Sequence, residues 1–273
     1  MIAPFASILV YSHSEIIGDG VWKLPFVATL RTAWPKATLT WATAEKTVYS
    51  SLLKPLSGQL IDELIADCDA DLTWPTPLLR RPFGTRSFDL VIDTQSKLTR
   101  SLALRRTRHR LFISPAADFL LSGRRPAKSD PAPDTVLARL LMLASLAAGQ
   151  TLARTRVPPL GDEWHEAAAI LLPSGPRYIG FAPGAGGRNK CWPLENFIAL
   201  ARSTAARART PVLLLGPAES DWVAPLRQAL PNALLPEWDR TDQFQHLKGP
   251  CLAIALSARL AAGVANNAGP AQI

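Results

Sequence analysis

The stretch from Tyr178 to Pro193, Y-I-G-F-A-P-G-A-G-G-R-N-K-C-W-P, constrains the fold more than any other part of the chain. Its first residues, Tyr178–Ala182, have the length and composition of a buried strand. The glycines that follow let the backbone turn and leave room for a ligand, and Pro193 suits the first turn of a helix. Free N–H groups at such a junction bind anions, and Lys190 adds a positive charge. The stretch therefore predicts an anion site. It matches neither a Walker motif nor G-x-G-x-x-G, and an ordinary turn with a surface lysine is the alternative.

Strand patterns alternate with helix patterns along the rest of the chain. This alternation indicates parallel sheets covered by helices, so the predicted fold class is α/β and doubly wound. The predicted strands are 8–11, 37–41, 88–93, 178–182, 212–215 and 260–265. The predicted helices are 21–33, 43–56, 95–108, 135–148, 162–172, 194–208, 221–230 and 252–259.

The length of 273 residues is enough for two domains of medium size. Proline-rich segments at 154–160 and 173–176 bracket a short helical pattern near the middle of the chain. We place the boundary there, which gives an N-terminal domain of residues 1–155 and a C-terminal domain of residues 156–273.

The cysteines, the apolar runs and the net charge limit the kinds of site, location and partner that are expected. The three cysteines are far apart and give neither a zinc pattern nor a disulfide framework. The start of the chain lacks the features of a secretory signal, and no apolar run has the length of a membrane span, so a cytoplasmic protein is expected. The net charge of +8 favours anionic partners such as phosphorylated sugars or a membrane surface. Nucleic acid is not expected, because no pattern of aromatic residues accompanies the arginines.

Five short motifs follow one another along the chain. G-D-G-V-W-K-L-P (18–25) has the form G-D-x-x-x-x-x-P, and V-I-D-T-Q-S (91–96) is similar to V-I-D-L-Q-G. P-G-A-G-G-R-N-K-C-W-P (183–193) has the form P-G-A-x-x-x-x-K-x-W-P. L-L-L-G-P-A-E (213–219) is similar to a strand ending in G-P-x-E, and A-N-N-A-G-P-A-Q (265–272) to N-D-[ST]-G-P-x-H. In type and order these motifs resemble those of glycosyltransferase family 9, the bacterial heptosyltransferases of lipopolysaccharide core synthesis, and the resemblance covers nearly the whole chain.

The resemblance implies a GT-B architecture, in which two Rossmann-like domains face each other across a cleft. The first domain would bind the acceptor and the second the nucleotide sugar. It implies no metal and no cofactor; the substrates would be a nucleotide-diphosphate sugar, ADP-heptose by family default, and an anionic glycolipid at the inner-membrane surface. Since family members continue beyond the last loop, an incomplete C-terminal domain is expected where this chain ends at Ile273.

The resemblance also assigns roles to residues. Asp19 matches the proposed base that takes a proton from the acceptor hydroxyl in an inverting transfer; the alternative is a turn residue that bonds its own backbone. Lys190 matches a lysine near the donor phosphates or sugar, or is a solvated lysine. Glu219 matches a carboxylate on the nucleotide ribose, or is an acid in the first turn of a helix. The other candidates are Gly184, Ala185, Asn267, Ala268 and Gly269 for the donor, and His13, Lys97 and Arg100 for the acceptor.

Three residues of the last motif depart from the family. Asn267 stands where the family carries an aspartate, Ala268 stands where it carries Ser or Thr, and Gln272 stands where it often carries His. A negative charge and a hydroxyl are therefore missing. The alternative to an active enzyme is a homologue that binds nucleotide sugar or acceptor without turnover.

Overall fold

The computed structural model describes residues 3–127, 129–239 and 246–267. The chain divides into two compact units, Met1–Pro159 and Leu160–Ile273. Both contain parallel sheet with packed helices, which confirms the α/β class expected from the sequence. The domain boundary set between residues 155 and 156, and the roles given to the two domains, stay predictions.

The first unit alternates strands and helices. In chain order its elements are β1 (Ser7–Ser12), α1 (Ile17–Ala33), β2 (Thr38–Thr43), a 3₁₀ turn (Val48–Ser50), α2 (Lys54–Ser57), β3 (Glu63–Ile65), α3 (Asp69–Leu72), α4 (Thr76–Leu79), β4 (Ser87–Asp93), α5 (Leu98–Arg105), β5 (Arg108–Ile113), α6 (Ala116–Phe119) and α7 (Val136–Ala148). In the described residues the strands form one parallel sheet in the order β3-β2-β1-β4-β5. The order reverses between β1 and β4, and open α/β sheets bind ligands at the carboxyl ends of such strands.

The centre of this sheet is buried because β1 and β4 are nearly continuous apolar runs. Helix α7 covers part of it and packs against α1, β4 and β5. The Thr135 hydroxyl caps α7 by accepting from the Ala138 N–H at 3.1 Å, and Gly149 ends it with a left-handed φ of 74°. The helix predicted at 135–148 is thereby confirmed.

In the described residues, the second unit has a smaller sheet than the first unit. Its elements are α8 (Asp162–Leu171), β6 (Tyr178–Phe181), a 3₁₀ turn (Arg188–Lys190), α9 (Leu194–Ala205), β7 (Thr210–Leu213), a 3₁₀ segment (Pro217–Trp222), α10 (Val223–Ala229) and α11 (Pro250–Asn267). Strands β6 and β7 pair in parallel, and a bridge from Val212 to Leu234 adds to them. The core gathers Phe181, Leu213, Leu215 and Leu226 between the sheet and the helices.

The helix predicted at 43–56 is wrong. Thr43 ends β2, and only the short turn Val48–Ser50 and α2 follow. The Thr47 hydroxyl accepts from the Tyr49 N–H at 3.2 Å, a local bond that competes with helix formation. The buried Tyr49 hydroxyl then donates to the Gly20 carbonyl at 2.8 Å, which fixes this segment against the start of α1.

The helix predicted at 95–108 is too long at both ends, because α5 spans only Leu98–Arg105. Strand β5 begins at Arg108, and the sequence interpretation missed it together with β3. Both strands lie at the edges of the sheet. Edge strands carry charged residues that obscure the apolar pattern, as R-H-R-L-F-I does in β5.

The strand predicted at 260–265 is also wrong. Helix α11 runs without interruption from Pro250 to Asn267. Its second half is rich in alanine, which favours helix and is depleted in strands. Leu260 lies over β6, where its Cδ1 is 2.8 Å from the position a Cβ would take on Gly180.

Candidate active site

In the second unit, the two loops that resemble donor-binding motifs meet at one contact. The loop after β6 carries Gly184, and the 3₁₀ segment after β7 carries Glu219. A Cβ on Gly184 would lie 2.7 Å from both Cδ and Oε1 of Glu219. Real Cβ atoms do not approach so closely, so the absence of a side chain at residue 184 allows the carboxylate to lie where it does.

The Glu219 carboxylate is buried and held by its own segment. Its Oε2 accepts from the Gly216 N–H at 2.9 Å, and the Glu219 N–H donates to the Gly216 carbonyl at 3.1 Å. Part of its role is therefore that of an acid in the first turn of a helix, the alternative named above. Within the described ranges, Oε1 makes no hydrogen bond.

Arg188 connects the same two segments, and the sequence interpretation missed it. Its Nη2 donates to the Ala218 carbonyl at 2.6 Å and to the Asp221 carboxylate. Its guanidinium stacks over the Trp222 ring, with Cζ 4.2 Å from the centroid. Because the partners lie in another loop, only the acid and the aromatic residue after G-P-A-E could have hinted at them.

Lys190 ends the 3₁₀ turn that starts at Arg188, and its N–H donates to the Gly187 carbonyl at 2.9 Å. Its side chain is exposed, as is that of Ala185. Among the described residues, the Lys190 ammonium has no hydrogen bond or ion pair. The second unit thus presents an uncompensated cation on the same loop that contacts Glu219.

On the first unit, Asp19 lies in the first turn of α1, because this helix begins at Ile17 and not at residue 21 as predicted. Its side chain is exposed. The flanking glycines differ: a Cβ on Gly18 would meet nothing within 4 Å, but one on Gly20 would lie 2.6 Å from Val48 Cγ2 and 2.8 Å from Leu53 Cδ1. Gly20 therefore lets the neighbouring turn pack against the start of α1.

Apolar side chains surround Asp19 at the surface, a feature that the sequence interpretation also missed. Ile16 is 71% exposed and Trp22 is 66% exposed, and Ile17 and Val21 are also exposed. Trp22 follows Asp19 by three positions, so both side chains lie on one side of the helix. In the described ranges, the Trp22 indole has no hydrogen bond or ring contact.

A buried ion pair fixes the segment between β1 and α1. Lys23 Nζ lies 3.1 Å from Glu15 Oε1 and donates to Ser12 Oγ at 2.8 Å. The Trp41 indole N–H donates to the same Glu15 oxygen at 3.2 Å. Glu15 Oε2 is buried without a hydrogen-bond partner in the described residues. No sequence signal identified this pair.

The three acceptor candidates lie near the carboxyl end of the first sheet. His13 follows β1 directly, with Nε2 at 3.8 Å from Glu45 Oε1, and Lys97 is exposed at the start of α5. Arg100 pairs with Asp69. Burial raises the pKa of Asp69, but hydrogen bonds from Arg100 and Thr73 and the positive charge of Arg100 together hold this pKa below its usual value. Arg100 therefore has a structural partner, and its role toward an acceptor stays a prediction.

Asp93 ends β4 and is completely buried. It accepts hydrogen bonds from the Ser101 hydroxyl, from the Ser114 hydroxyl at 2.9 Å and from the Gln95 N–H at 2.9 Å. Burial nevertheless raises the pKa of Asp93 to about 6. This carboxyl group organises the turn between β4 and α5.

Three donor candidates fall at the limit of what the structure describes. Asn267 is the last residue of α11, and its side chain is not among those described. Ala268 and Gly269 lie outside the described residues. Within the described ranges, no three His, Cys, Asp or Glu side chains form a group that could hold a metal ion, and no helix is long and apolar enough to cross a bilayer.

Comparison with known proteins agrees with the motifs. The model of glycosyltransferase family 9 (heptosyltransferase) matches residues 78–239, more than half of the chain. No curated protein sequence matches the chain.

Several solved structures are similar to the chain. The family 9 glycosyl transferase of Veillonella parvula DSM 2008 is 18% identical with a TM-score of 0.60, covering 86% of this chain and 69% of its own. The ADP-heptose lps heptosyltransferase II of E. coli is 18% identical with a TM-score of 0.57, covering 92% and 76%.

E. coli heptosyltransferase WaaC, solved with ADP-2-deoxy-2-fluoro heptose, is 17% identical with a TM-score of 0.55, covering 83% of this chain and 75% of its own. These likenesses show a shared fold and confirm the expected GT-B class with Rossmann-like units. With the family match, they lead to one conclusion: the chain belongs to glycosyltransferase family 9, the family of the heptosyltransferases.

Proposed function

We propose that this family 9 glycosyltransferase moves heptose from ADP-heptose to a lipopolysaccharide-type acceptor, with inversion at the anomeric carbon and without a metal ion. The observation that supports it most is the contact between Gly184 and Glu219, which joins two donor-type loops in the second unit. The first unit binds the acceptor, and the second unit binds the donor.

Three kinds of group in the second unit bind the donor. Glu219 Oε1 is without a hydrogen bond in the described residues and accepts from the ribose hydroxyls. Lys190 and the backbone N–H groups of the loop around Ala185 neutralise the diphosphate. The solved structures of WaaC with ADP and with a fluorinated ADP-heptose support this choice of donor.

The acceptor half centres on Asp19. Its carboxylate takes the proton of the acceptor hydroxyl while that oxygen bonds to the anomeric carbon. The bond from the anomeric carbon to the diphosphate breaks, and ADP leaves with the electron pair, stabilised by Lys190. Trp22, exposed one turn beyond Asp19, stacks on an acceptor sugar, since an apolar ring face suits the C–H face of a sugar.

The acceptor is an anionic glycolipid, with His13, Lys97 and Arg100 on its side of the site. The protein acts in the cytoplasm and touches the inner-membrane surface peripherally, where such an acceptor is held. The net positive charge of the chain, +8 at pH 7, supports an anionic partner.

A second candidate is a homologue that binds nucleotide sugar or acceptor without turnover. The observation in its favour is the pair Asn267 and Ala268, which lacks the charge and hydroxyl that the family carries in this loop. If the missing aspartate takes part in binding the sugar, transfer is lost while nucleotide binding remains.

The test combines binding with turnover. The purified chain is mixed with ADP-heptose and a heptose-free inner-core acceptor in buffer containing EDTA, and the product is followed by mass spectrometry and its anomeric configuration by NMR. Inverted, heptose-bearing product supports the proposal. ADP binding by calorimetry without any product would favour the second candidate. The absence of both ADP binding and product would overturn both candidates.

A further inference from the structure

A shallow surface pocket in the first unit is lined mainly by arginines. We call it the basic pocket, and the basic residues that line it are Arg81, Arg105, Arg106, Arg108, His109 and Arg110. Arg108 and Arg110 lie on β5, Arg105 ends α5 and Arg106 follows it, and Arg81 lies in the segment after α4. Two separate stretches of the chain, one at residue 81 and one at residues 105–110, thus bring like charges together.

The basic pocket lies at the amino ends of the strands, whereas the proposed site lies at their carboxyl ends. Ser87 and Arg108, which begin β4 and β5, pair with each other at the amino ends. Asp19 follows the carboxyl end of β1, which runs parallel to both strands. Ligands of open α/β sheets bind at the carboxyl ends, so the basic pocket is separate from the transfer site.

The charges of the basic pocket are poorly neutralised. Arg110 pairs with Asp89 at 3.2 Å, but that carboxylate also accepts from the Ala6 N–H at 2.7 Å. The side chains of Arg81, Arg105, Arg106 and Arg108 have no hydrogen bond or ion pair in the described ranges. Clustered cations without counter-charges attract an anionic partner.

Two exposed leucines that closely precede Arg81 in the chain indicate which kind of anionic partner the basic pocket binds. Leu78 is 62% exposed and Leu79 is 85% exposed, and they precede Arg81 closely in the chain. An exposed pair of leucines is unfavourable in water. Apolar side chains next to unpaired arginines suit a membrane surface, where the leucines enter the interface and the arginines meet lipid phosphates.

We propose that the basic pocket, together with Leu78 and Leu79, docks on an anionic phospholipid bilayer. The proposal deepens the membrane contact given under the proposed function, and its purpose rests on that function, because a glycolipid acceptor is held in a membrane. The contact itself is independent of sugar transfer. Nucleic acid is the less suitable partner, since it offers no site for exposed leucines.

The experiment is sedimentation of the full chain with sucrose-loaded vesicles of phosphatidylglycerol and phosphatidylethanolamine, with phosphatidylcholine vesicles for comparison. Wild type binds the anionic vesicles, and added salt weakens binding. The Arg105→Ser/Arg108→Ser variant binds about thirty-fold more weakly, as expected for two lost arginines. Its control, Arg154→Ser/Arg156→Ser, removes two exposed arginines elsewhere in the first unit and binds like wild type.

The leucines are tested in the same assay. Leu78→Ser/Leu79→Ser weakens vesicle binding, while Leu120→Ser/Val136→Ser, which changes two other exposed apolar residues, does not. Circular dichroism checks that each variant is folded. The proposal is overturned if wild type ignores anionic vesicles, if the control pairs weaken binding equally, or if an RNA oligomer is bound and the leucine variant changes nothing. Sugar transfer to a soluble, delipidated acceptor stays at the wild-type rate in all variants, so loss of docking is distinguishable from failure of the proposed function.

Discussion

The backbone of Gly184 lies directly against the carboxylate of Glu219, where a Cβ on the glycine would be 2.7 Å from Oε1. The two residues belong to different loops of the second unit, one after β6 and one after β7. A glycine in one motif thus determines whether the acid of the other motif can take its place.

The first prediction follows from this contact. Gly184→Ala displaces the Glu219 carboxylate, weakens ADP binding at least tenfold and costs about 1–3 kcal/mol of stability through overpacking. Gly186→Ala is the matched control, because a Cβ there would meet nothing within 4 Å. Calorimetric titration with ADP checks the affinity. Equal affinities for the two alanine variants would mean that Glu219 does not contact the nucleotide.

The second prediction concerns the raised pKa of Asp93, which burial moves from 3.8 to about 6. The folded protein holds this proton more tightly than the unfolded chain, so the free energy of unfolding falls as pH rises between these values and stays low above them. Two pKa units correspond to about 3 kcal/mol.

Asp93→Asn removes the cost of keeping an ionised carboxylate in this buried position. Relative to wild type, the variant gains stability as pH rises from about 4 to about 6 and keeps the difference above that range. Urea unfolding at a series of pH values measures the difference. A difference between variant and wild type that does not change with pH would show that Asp93 titrates normally. Other carboxyl groups titrate in both proteins, so the comparison isolates this one.

The third prediction concerns the buried pair of Glu15 and Lys23, in which the Glu15 side chain is fully buried. Lys23→Met leaves a buried carboxylate without its cation and costs about 3–5 kcal/mol of unfolding free energy. The double variant Glu15→Gln/Lys23→Met recovers much of this loss, because no buried charge remains. Chemical denaturation of the single and double variants gives the coupling energy. Simple additivity of the two single effects would contradict the pairing.

The fourth prediction concerns Trp22, whose indole is 66% exposed beside Asp19. Trp22→Ala raises the KM for the acceptor about tenfold and leaves ADP binding unchanged, whereas Trp22→Phe retains an aromatic face and most of the affinity. Initial rates at varied acceptor concentration measure both. Trp192→Ala, at another half-exposed tryptophan, is the control on the second unit. An unchanged KM in Trp22→Ala would remove this residue from the acceptor site.

Much of the fold could be predicted because its central strands are apolar. Strands β1, β4 and β6 and helix α7 lie within a residue or two of their predicted bounds, since buried parallel strands and capped helices leave clear patterns. The edge strands β3 and β5 could not be predicted, because their side chains are partly charged. Helix α11 was misjudged because an apolar, alanine-rich run does not by itself distinguish a buried strand from a helix.

The residues of the candidate site could likewise be predicted only in part. Residues within a short motif, such as Asp19 and Lys190, could be named from the order of the motifs. Contacts between distant segments could not: the Arg188 bridge to Asp221 and the burial of Glu15 against Lys23 arise from folding and leave no local pattern. The motifs thus supplied the candidate residues, and the structure supplied what holds them.

The proposed sugar transfer depends on Asp19 as its base. Single-turnover kinetics with enzyme in excess over ADP-heptose measure its contribution. We expect Asp19→Asn to bind ADP normally but to transfer roughly 10²–10⁴ times more slowly than wild type, while Asp162→Asn, which changes an exposed acid in the first turn of α8, transfers at the wild-type rate. Transfer by Asp19→Asn as fast as by wild type would contradict it.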